Sequence, residues 1–381
     1  MSVADVAVVG GGIIGCSIAA FLAEAGATVT LVEGSAVGAG ASGRNSGAVQ
    51  HPFDPVLAAL HRETLEIYRD LALRSETFRF PSEPAGLLLL TDDGDAALRR
   101  AAELARDEPA LDATVLDADA LAVAEPILAG GLTAVRLATG FPIPPDAATG
   151  AMAQRARRAG ADLIVGARAR PAVRGDRSEG LRLADGTFRA ADAVVVAAGP
   201  WTAQLIDPGG AWRPMAPTHG VTVQVALATP ARHVLEEGVV HTVNRPVEAP
   251  PEAADEWRAP ASLFSLVSVG PISTVGSTFV PVPPDPERTA PVLVGRGSRF
   301  VPALASAPIL DARVCARPQS VDGRAFLGPV PGIAGLWVCA GHGPWGVSTG
   351  PASGRMLADA ILEGAEGAIP PPLRVDRTFG W

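Results

Sequence analysis

Residues Asp5–Glu33 read DVAVVGGGIIGCSIAAFLAEAGATVTLVE, and this stretch decides the fold. The apolar run Val6 to Val9 has the character of a buried strand and leads straight into Gly10-x-Gly12-x-x-Gly15. A helical pattern follows from about Ile14 to Ala25, and a second apolar run, Ala27 to Val32, closes on Glu33. Each part has a physical task. Gly10 makes the tight turn, Gly12 lets a pyrophosphate approach the backbone, and Gly15 lets the helix pack close on the strand. Free N–H groups at the helix start face the phosphates. Glu33 lies about twenty residues on, where an acid takes ribose hydroxyls. Strand, glycine turn, helix and acid in this order point to a dinucleotide site rather than a chance turn.

Composition narrows the field. A chain of 381 residues is long enough for two domains with sizeable cores. Its 48% hydrophobic content fits a packed globule rather than a disordered chain. No apolar run reaches about 18 residues, so no membrane span is expected. The first strand begins so early that it leaves no room for a signal peptide. Three cysteines do not make a disulfide framework, which points to a cytoplasmic location. A net charge of −9 argues against nucleic acid as a partner. All 31 basic residues are Arg, so no lysine is present to form a Schiff base or act as a base. Tyr68 is the single tyrosine, which excludes a tyrosine-rich site. His51, His219 and His241 lack metal-ligand spacing, no zinc pattern exists, and no metal is expected. No G-x-S-x-G nucleophile elbow is present.

Beyond Glu33 a small-residue loop runs from Gly34 to Gln50. Helical patterns follow at roughly 55–73, 95–106, 117–124 and 146–159, and residues 86–90 read as a strand. The runs Asp162 to Val165, Leu181 to Leu183 and Ala193 to Ala198 read as strands. Residues 214–300 change texture. Short runs (Val221 to Ala226, Leu263 to Val269, Ile272 to Val280) separated by proline-rich turns predict an antiparallel sheet, with 245–261 as a surface excursion. After residue 310 glycine-punctuated α/β text returns, and the strand Leu336 to Ala340 leads into GHGPWGVSTG and a helix. The fold class expected is α/β: a Rossmann-like cofactor domain (1–80, 141–213 and 310–381) interleaved with an antiparallel-sheet substrate domain (81–140 and 214–309).

Five motifs in order carry a family resemblance across nearly the whole chain. They are the N-terminal fingerprint, Ala41-Ser42-Gly43-Arg44-Asn45-Ser46-Gly47, Val195-Val196-Ala197-Ala198-Gly199-Pro200-Trp201, Arg317-Pro318-x-x-x-Asp322-Gly323, and Gly341-His342-Gly343 leading to Ser348-Thr349-Gly350-Pro351. The chain resembles the FAD-dependent amine oxidoreductases of the glycine oxidase, sarcosine oxidase and D-amino-acid oxidase type. An NAD-linked Rossmann dehydrogenase explains the first motif alone.

The resemblance implies FAD as cofactor and names its neighbours here. Gly10, Gly12, Ile13, Ile14, Gly15, Glu33, Gly34 and Ala169 would hold the adenosine and pyrophosphate end. Ser42, Arg44, Asn45, Ser46 and Gly47 would flank pyrophosphate and ring, with Asn45 and Ser46 as side-chain contacts; the alternative is a flexible surface loop. Ala198, Gly199, Trp201, Cys315, Gly341, Gly343, Gly346, Val347 and Ser348 complete the set. The helix start after Gly341 suits the N1–C2=O edge of a reduced flavin. His342 is either a flavin neighbour or a turn residue satisfied by backbone. Trp345 either walls the substrate pocket, the reading preferred here, or packs. Monomeric sarcosine oxidases carry a flavin-bonded cysteine where Cys315 stands, but they also place a lysine by the flavin; non-covalent FAD is expected here.

Arg317 is implied to grip the substrate carboxylate, a task its planar guanidinium suits; the alternative is a structural salt bridge. Arg62 either meets a second polar group on the substrate or, the favoured reading, is a solvated helix charge. Glycine oxidases carry a further arginine where Pro344 stands here, which turns the expectation away from free glycine. The expected reaction is oxidation of a C–N bond alpha to a carboxylate, with hydride passing to the flavin and no protein base required. The expected substrate is an N-substituted glycine (an N-carboxymethyl amine or amino acid) giving glyoxylate and free amine, as in glycine oxidase homologues of natural-product biosynthesis. The alternatives are a sarcosine, glycine or D-amino acid oxidase or dehydrogenase, and a flavoprotein subunit of a hetero-oligomeric dehydrogenase. O2 is a candidate electron acceptor, and a homo-oligomer is compatible with the chain.

Overall fold

The computed structural model describes residues 5–238, 262–364 and 366–377. The 245–261 stretch and His241 lie outside the described residues. A six-stranded sheet runs in the order Phe326–Pro329, Leu336–Ala340, Ala193–Val196, Asp5–Val9, Thr28–Glu33, Asp162–Val165. Every neighbouring pair is parallel except the first. Val8 lies between Val195 and Leu31, and all three are fully buried. Burial on both faces is why these strands read as unbroken apolar runs. The helices Ile13–Glu24 and Gly346–Glu363 pack on one face, around Ile18, Leu22 and Leu357. Their contact is close: a Cβ on Gly354 would lie 2.8 Å from the Ser17 Cβ.

The second sheet has eight strands. Its order is Ile309–Ser320, Met215–Ala226, Ile272–Thr278, Ser262–Val269, Val234–Glu237, Leu87–Thr91, Thr133–Leu137, Thr114–Leu116. All neighbours are antiparallel save Val234–Glu237 beside Leu87–Thr91. One face packs through Leu235, Leu266 and Val275 on the helix Pro286–Gly297. The other presents Leu89, Val135, Val234 and Val267 toward Ala48 of the small-residue loop and Phe53 just beyond it. A separate three-stranded sheet joins Ala169–Arg174, Arg177–Leu183 and Phe188–Ala190.

Two local readings are corrected. Residues 310–320 belong to the eight-stranded sheet, because Ile309–Ser320 pairs along its length with Met215–Ala226. The 214–300 region also contains a helix, Pro286–Gly297, which the antiparallel reading did not separate out. Its Asp285 cap accepts the N–H of Glu287 at 2.9 Å, with Pro286 at the first helical position.

Candidate active site

The glycine turn sits where the six-stranded sheet meets its first helix. A Cβ at Gly10 would lie 2.4 Å from the Ala197 carbonyl oxygen, and one at Gly15 would lie 1.9 Å from the Gly10 oxygen. Both positions therefore require glycine. A Cβ at Gly12 would instead meet no backbone, only Ser42 Oγ at 3.0 Å. That open side leaves room for a phosphate against the chain. Ser42 Oγ accepts the Ile13 N–H at 3.0 Å, which ties the small-residue loop to the helix start. Glu33 accepts two backbone N–H bonds, from Gly11 at 2.7 Å and from Ser35 at 2.8 Å. A carboxylate has about four acceptor sites, so it can hold the turn and still receive ribose hydroxyls. Gly34 faces Arg168, which puts Ala169 at the same end of the site.

The 41–47 loop is ordered by its own asparagine. Asn45 Nδ2 donates to the carbonyls of Ser42, Ala41 and Pro145, and Asn45 Oδ1 accepts the Gly47 N–H at 2.8 Å. The side chain expected to touch a cofactor is thus spent on loop shape. Arg44 is exposed and donates to the Val314 carbonyl at 3.1 Å, docking the loop on the eight-stranded sheet. Ser46 is half-buried.

The start of the Gly346–Glu363 helix is held from Pro55–Arg74. Tyr68 donates to the Val347 carbonyl at 2.7 Å, and His61 Nδ1 lies 3.2 Å from the Ser348 carbonyl. Ser348 Oγ accepts the Gln50 N–H at 3.1 Å. His342 is buried against Ser353 Oγ at 3.0 Å, so a side chain rather than backbone satisfies its Nε2. Burial lowers its pKa to about 3. Trp345 is buried in the main core, edge-on to Phe53 with ring centroids 6.5 Å apart. Packing accounts for its bulk, while its buried Nε1–H has no partner among the described residues. Gly341 and Gly343 both have positive φ, and a Cβ at Gly343 would meet Gln319 at 2.7 Å. Ala198 and Gly199 form the turn after the Ala193–Val196 strand, and Trp201 beyond them is exposed.

Arg317 leaves the Ile309–Ser320 strand and crosses Gly220, where a Cβ would lie 2.1 Å from Nη2. Its guanidinium donates to the Thr278 carbonyl at 3.0 Å and to Ser277 Oγ, and stands over the Phe279 ring at 4.7 Å. No carboxylate among the described residues pairs with it. Burial lowers its pKa, the cost of holding a charge away from water. Cys315, two residues earlier on the same face, is a buried free thiol. Arg62 is exposed on Pro55–Arg74, as the solvated-charge reading expects. Gly220, Ser277 and Phe279, which position Arg317, were not singled out from sequence. An isolated glycine within a strand marks a close approach and was the available signal at Gly220.

Comparison with known proteins gives this geometry a family. The model of the DAO family, described as FAD dependent oxidoreductase, matches residues 5–360. The chain belongs to that family. It is 30% identical over 377 residues to a glycine oxidase of Pseudomonas aeruginosa, covering 96% of each protein. The crystal structure of glycine oxidase from Geobacillus kaustophilus superposes with a TM-score of 0.82 at 25% identity, covering 99% of each chain. A D-amino acid dehydrogenase of Cereibacter sphaeroides is 29% identical over 260 residues, 65% of this chain and 54% of that protein. The DAO-family chain is therefore an FAD-dependent amine or amino-acid oxidoreductase. The open side of Gly12, the glycine turn and the carboxylate of Glu33 fit the dinucleotide part of FAD. No helix among the described residues is long and apolar enough to cross a membrane.

Proposed function

We propose that this chain oxidises a C–N bond alpha to a carboxylate, acting on an N-substituted glycine and releasing glyoxylate and the free amine. The carrying observation is Arg317, a half-buried guanidinium fixed by Ser277 and Thr278 with no carboxylate partner among the described residues. An unpaired buried charge is costly, and a substrate carboxylate supplies both the counter-charge and a bidentate fit. Bound FAD supplies the two-electron acceptor. Arg317 orients the carboxylate and hence the α-carbon, and the enclosed face favours an amine bound without its extra proton. Loss of the α-hydrogen with its two electrons converts the neutral secondary amine to an iminium ion; water then adds, and the carbinolamine splits to glyoxylate and the amine with release of one proton. Pro344 stands where glycine oxidases carry a further arginine, and Tyr68 is committed to the Val347 carbonyl. Both features support a pocket shaped for something other than free glycine.

The cofactor set proposed is Gly10, Gly12, Ile13, Ile14, Gly15, Glu33, Gly34 and Ala169 toward adenosine, with Ser42, Ser46 and the Gly341–Ser348 backbone toward the ring. We propose non-covalent FAD, O2 as electron acceptor and a cytoplasmic location, the last supported by three free cysteines. The D-amino acid dehydrogenase relative supports a second reading, oxidation of sarcosine, glycine or a D-amino acid. Anaerobic bleaching of the flavin by a panel of primary and N-substituted amino acids separates the two. Arg317→Ala should keep the flavin spectrum and lose at least ~100-fold in flavin reduction, worth about 2.7 kcal/mol. Arg317→Lys should recover part, because an ammonium lacks the planar fork. Reduction of Arg317→Ala at the parent rate and affinity would remove the support for an α-carboxylate substrate.

A further inference from the structure

A second charged group stands on the sheet face that carries Arg317. Glu236 is 8% exposed, at the end of the short strand Val234–Glu237. One of its oxygens accepts the Gln50 Nε2–H at 2.9 Å, and the other has no partner. The amide oxygen of Gln50 is also without a partner. Each orphaned buried acceptor costs stability unless something donates to it. The group that matches such acceptors is an amine, which arrives with N–H donors and can pass its extra proton to a carboxylate.

The ladder fixes where this group lies relative to Arg317. Glu236 pairs with Ser265, Ser265 with Gly276, Gly276 with Thr222, and Thr222 with Arg313. Cross-strand partners share a face, and Arg317 is an even step from Arg313 along an unbulged part of its strand. Arg317 and Glu236 therefore project from one face. It is the face that meets the cofactor loop, through Gln50 on Glu236 and through Arg313 on the Gly43 carbonyl at 3.4 Å. The Arg317 guanidinium is bonded to the Ile272–Thr278 strand, two strands from Glu236. Thr278, which the guanidinium bonds, lies two residues along its strand from Gly276, the residue in register with Glu236 through Ser265. Two strand spacings and two residues along the strand put these positions about 12 Å apart, a gap that the two side chains and a small amino acid between them can span.

We propose that Glu236, oriented by Gln50, receives the amino group of the substrate, so that Arg317 and Glu236 hold the two ends of one α-amino carboxylate. The inference rests on the Arg317 reading above and adds the second contact. It also supplies a reason for amines to be preferred over other carboxylates: an ether oxygen at the same place would face two acceptors and donate to neither.

The test uses the FAD-loaded enzyme and two probes of matched shape, N-methylglycine and methoxyacetate. Binding is read anaerobically from the flavin spectrum and from the concentration dependence of flavin reduction, with calorimetry for the unreactive ether. The parent should bind N-methylglycine at least ~10-fold more tightly than methoxyacetate. Glu236→Gln should weaken N-methylglycine at least ~10-fold and leave methoxyacetate within about twofold, and Glu236→Asp should recover part of the loss. Arg317→Ala should weaken both probes. Equal weakening of both probes in Glu236→Gln, or none of either, would overturn the proposal. So would equal affinity of the parent for the two probes, a measurement that needs no variant to fold. If neither probe binds the parent, the Arg317 reading fails first and this one falls with it.

Discussion

Glu33 illustrates how one side chain can serve the fold and the cofactor together. Its carboxylate already braces the glycine turn through the N–H groups of Gly11 and Ser35. Glu33→Ala removes both braces and the proposed ribose acceptor, a loss of about 1.5–3 kcal/mol for a hydrogen bond to a charged group. FAD affinity should fall about ten- to a hundred-fold, measured by titrating the apoprotein with FAD. The apoprotein itself should also melt earlier than the parent, which a purely ribose-binding acid would not cause. Unchanged FAD affinity would show that Glu33 acts on the turn alone. Cys315 is a different case, a residue whose motif position suggests a bond to the flavin where non-covalent FAD is proposed. It is buried, free and beside Arg317. Acid precipitation should release the FAD into the supernatant; colour retained on the denatured chain would support a bond to Cys315.

At the scale of elements, the helix Pro55–Arg74 acts as a strut beneath the start of Gly346–Glu363. Tyr68 reaches Val347, His61 reaches Ser348, and Thr64 Oγ1 accepts the Ala352 N–H at 3.3 Å. Tyr68→Phe leaves the Val347 carbonyl buried without its donor, which should cost about 1–3 kcal/mol, read by urea unfolding. The Asp5–Glu33 unit was legible from sequence because each of its constraints is local: a strand, a turn, a helix and an acid within one stretch. Elements whose reason lies elsewhere in the chain were not. The strand Ile309–Ser320 presents Arg313, Cys315, Arg317 and Gln319 on one side, so its alternation does not look like that of a strand over a core. The helix Pro286–Gly297 carries its Asp285 cap and Pro286 start, but Pro291 inside it masks the pattern. Arg317 was found by its motif, whereas the glycine, serine and phenylalanine that fix it belong to other strands. Glu236 was not singled out from sequence, because its partner Gln50 lies 186 positions away.

The whole molecule gathers several titratable groups into its interior, and their balance sets its response to acid. Burial lowers His51 and His61 to about 4 and His342 to about 3, each from 6.5. Burial raises Glu236 from 4.5 to about 7. The signs oppose. As pH falls below 6.5, the three histidines take up protons in the unfolded chain before the folded one, so each removes stability. Glu236 takes up its proton in the folded chain first, so it restores stability between 7 and 4.5. One pKa unit is worth about 1.4 kcal/mol, so the net of two histidine equivalents removes about 2.7 kcal/mol per pH unit between about pH 6 and 5. The free energy of urea unfolding, measured on the apoprotein at pH 7, 6 and 5, should fall steepest over the last interval. Glu236→Gln should make that fall steeper still, because it removes the one group that works the other way. A flat profile across this window would mean that the histidines are not buried as neutral groups, and an unaltered slope in Glu236→Gln would mean that Glu236 is already solvated. Saturating FAD should raise the whole curve, since a ligand that binds only the folded chain stabilises it by mass action.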